Sequence, residues 1–261
     1  MQDLNTLQTS ESSDEGAQAW AIPFADMMTL LLTLFILLLV ILKESEKFVD
    51  RQINLLLKET YEQLINKIDD ENVSIERVTK GIQITLRGNL FQSMKANVNK
   101  NYIPTIQEIS KIIEDCRLFN IEKTKDYSAL MNFLEERNEE LNIEVRCEGH
   151  TDDAILPPQS DYRNNWELSS ARSLRVVNIM NAASSIPEKY FSYNGYGEFR
   201  PLINVSDIKD FQKKKQARAY NRRVEIYLDA FARVKTRSSE DELLKMMRRK
   251  FKKENPYPPP N

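Results

Sequence analysis

With 261 residues the chain can hold one ordinary domain plus attachments, or two small domains, and can bury a core of its own. Its 37 Lys and Arg against 39 Asp and Glu, with an isoelectric point near 5.8, give no overall reason to expect a nucleic-acid partner. A single histidine and two cysteines exclude zinc fingers and multi-histidine metal sites, and no Gly-rich phosphate loop is present, so neither a metal nor any other cofactor is expected.

Residues 1–19 form a tail with 4 acids and no Lys or Arg, and residues 20–42 read as a transmembrane helix. From Ala21 to Leu42 the only ionisable side chain is Asp26. At 1.5 Å per residue this stretch reaches about 33 Å as a helix, against roughly 30 Å of bilayer hydrocarbon. One membrane crossing is expected. A cleaved signal peptide fits poorly, because the tail lacks a basic region and no A-x-A site follows the apolar run. A buried soluble helix fits poorly too, because Met27–Leu42 has no polar face beyond two threonines.

Asp26 is the informative residue. A carboxylate at the centre of a membrane helix costs about 2.5–3.5 kcal/mol, and a membrane potential supplies about 2.3 kcal/mol per charge per 100 mV. The two are comparable, so loading and unloading a cation at this site is energetically feasible. Thr29 and Thr33 stand three and seven positions on and complete a narrow polar stripe that reads as the lining of an ion path. The plainer alternative has Asp26, close to Trp20 and Pro23, capping the helix at headgroup level.

Residues 43–72 are charged but carry Phe48, Val49, Ile53, Leu56, Leu57, Leu64, Ile65 and Ile68 at helical recurrence, which predicts an amphipathic linker helix. A dimeric coiled stalk is one use of its apolar face. Next, Ile82, Ile84 and Leu86 alternate with polar residues within 75–91, the pattern of a half-buried strand pair. Pro104–Asp115 places Ile106, Ile109, Ile112 and Ile113 on one helix face, and Asp126–Leu141 shows helical spacing of Leu130, Phe133 and Leu134. Strand Ile143–Glu148, helix Trp166–Asn181, strand Phe191–Gly195 and strand Arg222–Asp229 follow. The order predicts an α+β fold, a small sheet covered by helices. Cys116 and Cys147 are read as small buried hydrophobes, with pairing in an oxidising compartment as the alternative. His150 reads as a positioned turn residue, with no nucleophile in a recognised arrangement beside it. Asp152 and Asp153 are neighbours on a strand end and point to opposite faces, unlike a glycosidase pair, so no catalytic residue is expected. The tail at 232–261 is basic, with nine Lys/Arg against three acids in Arg233–Lys253, and is read as a solvated helix or a contact with anionic wall or lipid.

Two groups of residues carry a family resemblance. Trp20, then Pro23-Phe24-Ala25-Asp26-Met27-Met28-Thr29, resembles the signature of MotB-type stator subunits. Gly149-His150-Thr151-Asp152, Asn165-Trp166-Glu167-Leu168-Ser169, Arg172, Gly195-Tyr196-Gly197-Glu198 with Pro201, and Asn221-Arg222-Arg223-Val224-Glu225-Ile226 together resemble the OmpA-like peptidoglycan-binding domain, assigned to residues 73–231. The resemblance implies that Asp26 carries a proton, or less favourably sodium, beside a ring of MotA-like partner subunits. It also implies a homodimer in the bacterial inner membrane, N-terminus cytoplasmic and C-terminal domain periplasmic, and a plug helix as a second use of 43–72. It further implies that Asp152 takes the ammonium and Arg172 a carboxylate of a diaminopimelate side chain, with Thr151, Asn165 and Arg222 lining or supporting the groove. Without the resemblance, Arg172 reads as a surface ion pair to Glu167 or Asp161, and Asp152 as a turn carboxylate.

The chain departs from the family pattern in its acidic N-terminal tail, in an insertion over 116–142, and in Lys43, Lys47 and Arg51 after the membrane segment, which by charge alone favour the opposite orientation. The motor could be flagellar; the membrane subunit of a Zorya-type anti-phage system and a passive OmpA-like anchor are the alternatives.

Overall fold

The computed structural model describes residues 20–88, 90–92, 94–121 and 127–235, so both tails lie outside the described residues. The chain divides into two compact units, Met1–Arg51 and Gln52–Asn261. One helix, α1 (Ala21–Lys67), begins in the first and ends in the second. Thus the membrane segment and the expected linker are consecutive parts of a single helix, which stops five residues short of the boundary read at 72.

In the first unit every side chain from Trp20 to Leu42 is exposed, including thirteen consecutive positions from Leu30 to Leu42 with only Thr33 polar. Among the described residues of its unit nothing covers this apolar cylinder, and hydrocarbon is the solvent that suits it. The Thr29 hydroxyl donates to the Asp26 carbonyl at 2.7 Å and the Thr33 hydroxyl to the Leu30 carbonyl at 2.8 Å. Each hydroxyl proton is therefore satisfied by the helix backbone, which leaves oxygen lone pairs as the outward-facing chemistry of the stripe.

In the second unit the helix end is fastened to the domain. Ile53, Leu56, Leu57, Thr60 and Leu64 fall on one stripe and are all buried. Arg77 donates to the Asn54 side chain at 3.0 Å, and Arg117 pairs with Glu59 at 3.3 Å. Residues 52–67 therefore bury their apolar face within their own domain, which corrects the coiled-stalk reading for that part of the helix.

The sheet contains β1 (Val73–Val78), β2 (Gly81–Leu86), β3 (Glu139–His150), β4 (Phe191–Gly195) and β5 (Arg223–Val234) in the order β1-β2-β5-β3-β4. All neighbours are antiparallel except β3 and β4. Those two are joined by α4 (Asn165–Ala183), because a parallel pair needs a crossover. Helix α2 (Ile103–Asp115) buries Ile106, Ile109, Ile112 and Ile113 as expected, and the Ser110 hydroxyl donates to the Met180 carbonyl of α4 at 2.8 Å. Side chains of β3 alternate. Val145 and Cys147 join Ile82, Ile84, Ile226 and Leu228 on the apolar face that meets the helices, while Arg146, Glu148 and His150 take the other.

Four readings need correction. The stretch 126–141 is not one helix: α3 covers Ser128–Glu136, Asn138 takes a positive φ of 56°, and β3 begins at Glu139. Strand β5 starts at Arg223 and runs to Val234, past the tail boundary read at 232, because its end pairs with the start of β3 (Glu139 opposite Val234). Helix α5 (Phe211–Asn221) was not anticipated. His150 is the last residue of β3, 1% exposed, and not a turn residue. Cys116 and Cys147 are both free and buried, and burial pushes the Cys147 thiol up to about 12.

Truncating Leu64, which has no exposed surface, removes a fully buried side chain from the helix-to-domain contact. Leu64→Ala is expected to lower unfolding stability by about 2–5 kcal/mol, read from the urea midpoint of the detergent-solubilised chain, whereas Ile65→Ala on the exposed side changes it by less than about 1 kcal/mol.

Candidate ligand pocket at the strand ends

Two glycines let α4 lie close against the sheet. A Cβ on Gly149 would sit 2.0 Å from the Ser169 carbonyl oxygen, and one on Gly195 would sit 2.2 Å from the Ser170 hydroxyl. No larger residue fits at either place without moving the helix. The Asn164 side chain caps α4 by accepting from the Glu167 N–H at 2.9 Å. Asn165, Leu168 and Arg172 then follow at i, i+3 and i+7 and so face the loop that leaves β3.

That loop is pinned from both sides. The Thr151 N–H donates to the Gly197 carbonyl at 2.9 Å, and the Asn165 amide donates to the Ala154 carbonyl at 3.1 Å. The two aspartates diverge as expected: Asp152 pairs with Arg222 at 2.7 Å, while Asp153 holds Arg218 through two hydrogen bonds of 2.7 and 2.9 Å. The Arg218 hydrogen bonds hold the Asp153 carboxyl below the usual carboxylate range.

Thr151, Asp152, Asn165, Arg172 and Arg222 all line one small pocket of about 50 Å³, with Met94, Ala154, Leu156 and Leu168 completing it. The five residues named from sequence are therefore brought together. Arg172 is 2% exposed. Its Nε donates to the Lys95 carbonyl at 3.1 Å, and its guanidinium lies 4.9 Å from the centre of the Phe91 ring. Among the described residues it makes no salt bridge, and Glu167 pairs instead with Arg163. The surface-pair alternatives for Arg172 are thus excluded. Burial lowers its pKa to about 10, with Asp152 opposing and Arg222 adding to the shift, so the group stays charged at neutral pH. The Thr151 hydroxyl is also buried without a hydrogen-bond partner. The pocket thus holds a buried cation in no salt bridge, an unsatisfied hydroxyl and a carboxylate already paired with Arg222, groups that could meet a ligand carrying both signs of charge.

Met94, the Lys95 carbonyl and Phe91 escaped the sequence reading. They come from a segment that joins the site only through the fold, and the positive φ of Met94 (59°) is visible only in the structure.

The other face of the sheet holds Glu148, His150 and Glu225, whose ligand-type atoms lie within 4.8 Å of one another. Arg146 already pairs with Glu148, and Arg223 with Glu225, so the trio lacks the negative charge that a divalent ion requires. His150 stacks on Tyr196 at 5.5 Å, and neither ring nitrogen has a hydrogen-bond partner. Burial first, then Arg223 and Arg200 against Glu225, lowers its pKa to about 4.

Sequence comparison places these observations among known proteins. Residues 7–54 match MotB_plug, described as membrane MotB of the proton-channel complex MotA/MotB, and residues 90–218 match the OmpA family. The uncharacterized protein YtxE of Bacillus subtilis (strain 168) is 24% identical over 234 residues, which cover 84% of this chain and 91% of that protein. Motility protein B of the same organism is 25% identical over 160 residues, covering 61% of this chain and 49% of that protein. The crystal structure of the periplasmic domain of Helicobacter pylori MotB aligns at 20% identity with a TM-score of 0.43, over 72% of this chain and 92% of that one.

The neutral His150 makes stability depend on pH. Its folded pKa is depressed, so its contribution is complete above the unfolded value near 6.5 and is lost as pH falls towards about 4. The wild type should lose up to about 3 kcal/mol through this group across that window, and His150→Phe should flatten that part of the profile in urea unfolding from pH 7 to pH 4.

Proposed function

Because the chain is a MotB-type protein carrying an OmpA-like domain, of a stator and peptidoglycan-binding family, we propose that it is the ion-conducting stator subunit of a membrane motor. The helix crosses the bacterial inner membrane once within residues 20–42, with the N-terminus cytoplasmic and the domain periplasmic. Asp26 carries the proton, Thr29 and Thr33 line its path, and the partner is a MotA-like ring subunit. Two copies of this chain form the membrane component.

The observation that supports the wall-binding half is the buried, unpaired guanidinium of Arg172 across the pocket from Asp152. A pocket of about 50 Å³ admits a small charged terminus and not a whole saccharide. Diaminopimelate, in the stem peptides of peptidoglycan, ends in an ammonium and a carboxylate on one carbon. Asp152 receives the ammonium, Arg172 the carboxylate, and the Thr151 hydroxyl a remaining hydrogen bond. Asn165 holds the loop in place, and Arg222 orients Asp152 through their 2.7 Å contact.

The membrane half is supported by the exposed apolar cylinder of residues 20–42 with one acid in it. A flagellar role follows from the likeness to motility protein B.

The two halves separate experimentally. Asp26→Asn should abolish ion-coupled motility when the chain is co-expressed with its ring partner, while membrane insertion and sedimentation with purified peptidoglycan stay at wild-type levels. Asp152→Asn should weaken that sedimentation more than about tenfold, the loss expected for removing one member of a buried charge pair. Full motility in Asp26→Asn would reduce the protein to a passive anchor, and unchanged sedimentation of Asp152→Asn would remove the pocket from the account.

A further inference from the structure

Helix α5 carries a second pocket that shares one wall with the first. Phe211, Lys214, Lys215, Arg218 and Arg222 line a cavity of about 270 Å³. They fall at i, i+3, i+4, i+7 and i+11, so one face of the helix and the residue after it form the whole lining. Arg222 belongs to both pockets. The two therefore adjoin across a single side chain.

The charges in this second pocket are unequally balanced. Arg218 is held by Asp153 and Arg222 by Asp152, so each arginine has its counter-ion. Lys214 and Lys215 make no salt bridge or side-chain hydrogen bond among the described residues, which leaves an excess of two positive charges around a hollow. Lys214 is half-buried, and Phe211 is 74% exposed at the rim. The helix is not held here by an apolar stripe, since only Ala217 and Asn221 are buried along its length. The cavity wall is mostly apolar, with two unpaired lysines on it, Lys215 and Phe211 being exposed, an arrangement suited to a ligand with an anionic group on a small apolar body.

We infer that this pocket is an anion subsite adjoining the proposed diaminopimelate pocket, in which Lys214 and Lys215 bind a negatively charged group of the cell wall beyond the one read by Arg172. The inference rests on the wall-binding reading of the first pocket. The chemistry fits a further stem-peptide carboxylate, whose neighbouring methyl would lie on Phe211 and the lysine stems. It fits equally the phosphate of a wall-linked anionic polymer.

The test uses the full chain in detergent and its sedimentation with three wall preparations: untreated, carboxyl-amidated, and stripped of phosphate polymer by acid. The K214Q/K215Q double variant is expected to bind untreated wall three- to tenfold more weakly than wild type and with a shallower salt dependence, and K214R/K215R to bind as wild type. A wild-type advantage that vanishes on amidation identifies a carboxylate, and one that vanishes on acid stripping identifies a phosphate. Equal binding of wild type and K214Q/K215Q to untreated wall at every salt concentration overturns the subsite. In parallel, Asp152→Asn separates the two claims. If it loses binding while K214Q/K215Q does not, only the subsite fails; if it binds as wild type, the diaminopimelate pocket fails first.

Discussion

A guanidinium taken out of water needs a counter-charge in contact, and Arg172 is buried with none among the described residues, the nearby Asp152 being paired with Arg222. Its surroundings supply other partners. Its Nε is satisfied by the Lys95 carbonyl and its face by the Phe91 ring, while Asp152 stands across a small pocket, already engaged by Arg222. The close seating of α4 on β3 and β4 sets the spacing, and it depends on Gly149 and Gly195, where even a methyl group would collide with the helix. On the proposed reading, a ligand bearing an ammonium and a carboxylate together completes the arrangement.

The sheet separates two kinds of interaction. One face is apolar and carries α4, and the stripe of α1 from Ile53 to Leu64 is buried within the same unit. The other face is a strip of crossed ion pairs and aromatic rings: Arg146 with Glu148 and Asp229, Arg223 with Glu225, and Tyr227 hydrogen-bonded to Glu225. Opposition across the β3–β5 register places Glu148 against Glu225. Like charges so placed are tolerated because each has its own arginine.

Elements with strong apolar periodicity were legible in the sequence. The isoleucines of α2 fix that helix, and strand Phe191–Gly195 is observed with the bounds read from its pattern. Helix α5 was not legible because FQKKKQARAYN presents almost no apolar face; it is held by the Asp210 cap, the Arg218–Asp153 pair and the Asn221 amide on the Ile203 carbonyl. The polar ends of β3 and β5 escaped for a related reason. Residues such as Glu139 and Arg233 are strand residues only because they pair with each other's strand over twelve positions. At the site, the family resemblance named five of the nine residues that line the pocket, yet the burial of Arg172 could not be read. An arginine on a helix is ordinarily solvated, and the Lys95 carbonyl that this one donates to lies 77 positions away in the chain.

The most direct measurement is an NMR titration of the full chain, selectively labelled at arginine, with a stem peptide containing diaminopimelate and with the same peptide carrying lysine in its place. The two differ in the carboxylate that Arg172 is held to receive. The account predicts a saturable shift of the Arg172 Nε–H resonance with the first peptide and at least tenfold weaker response with the second. Equal affinity for both peptides, or a resonance that stays fixed while binding occurs elsewhere, would contradict it.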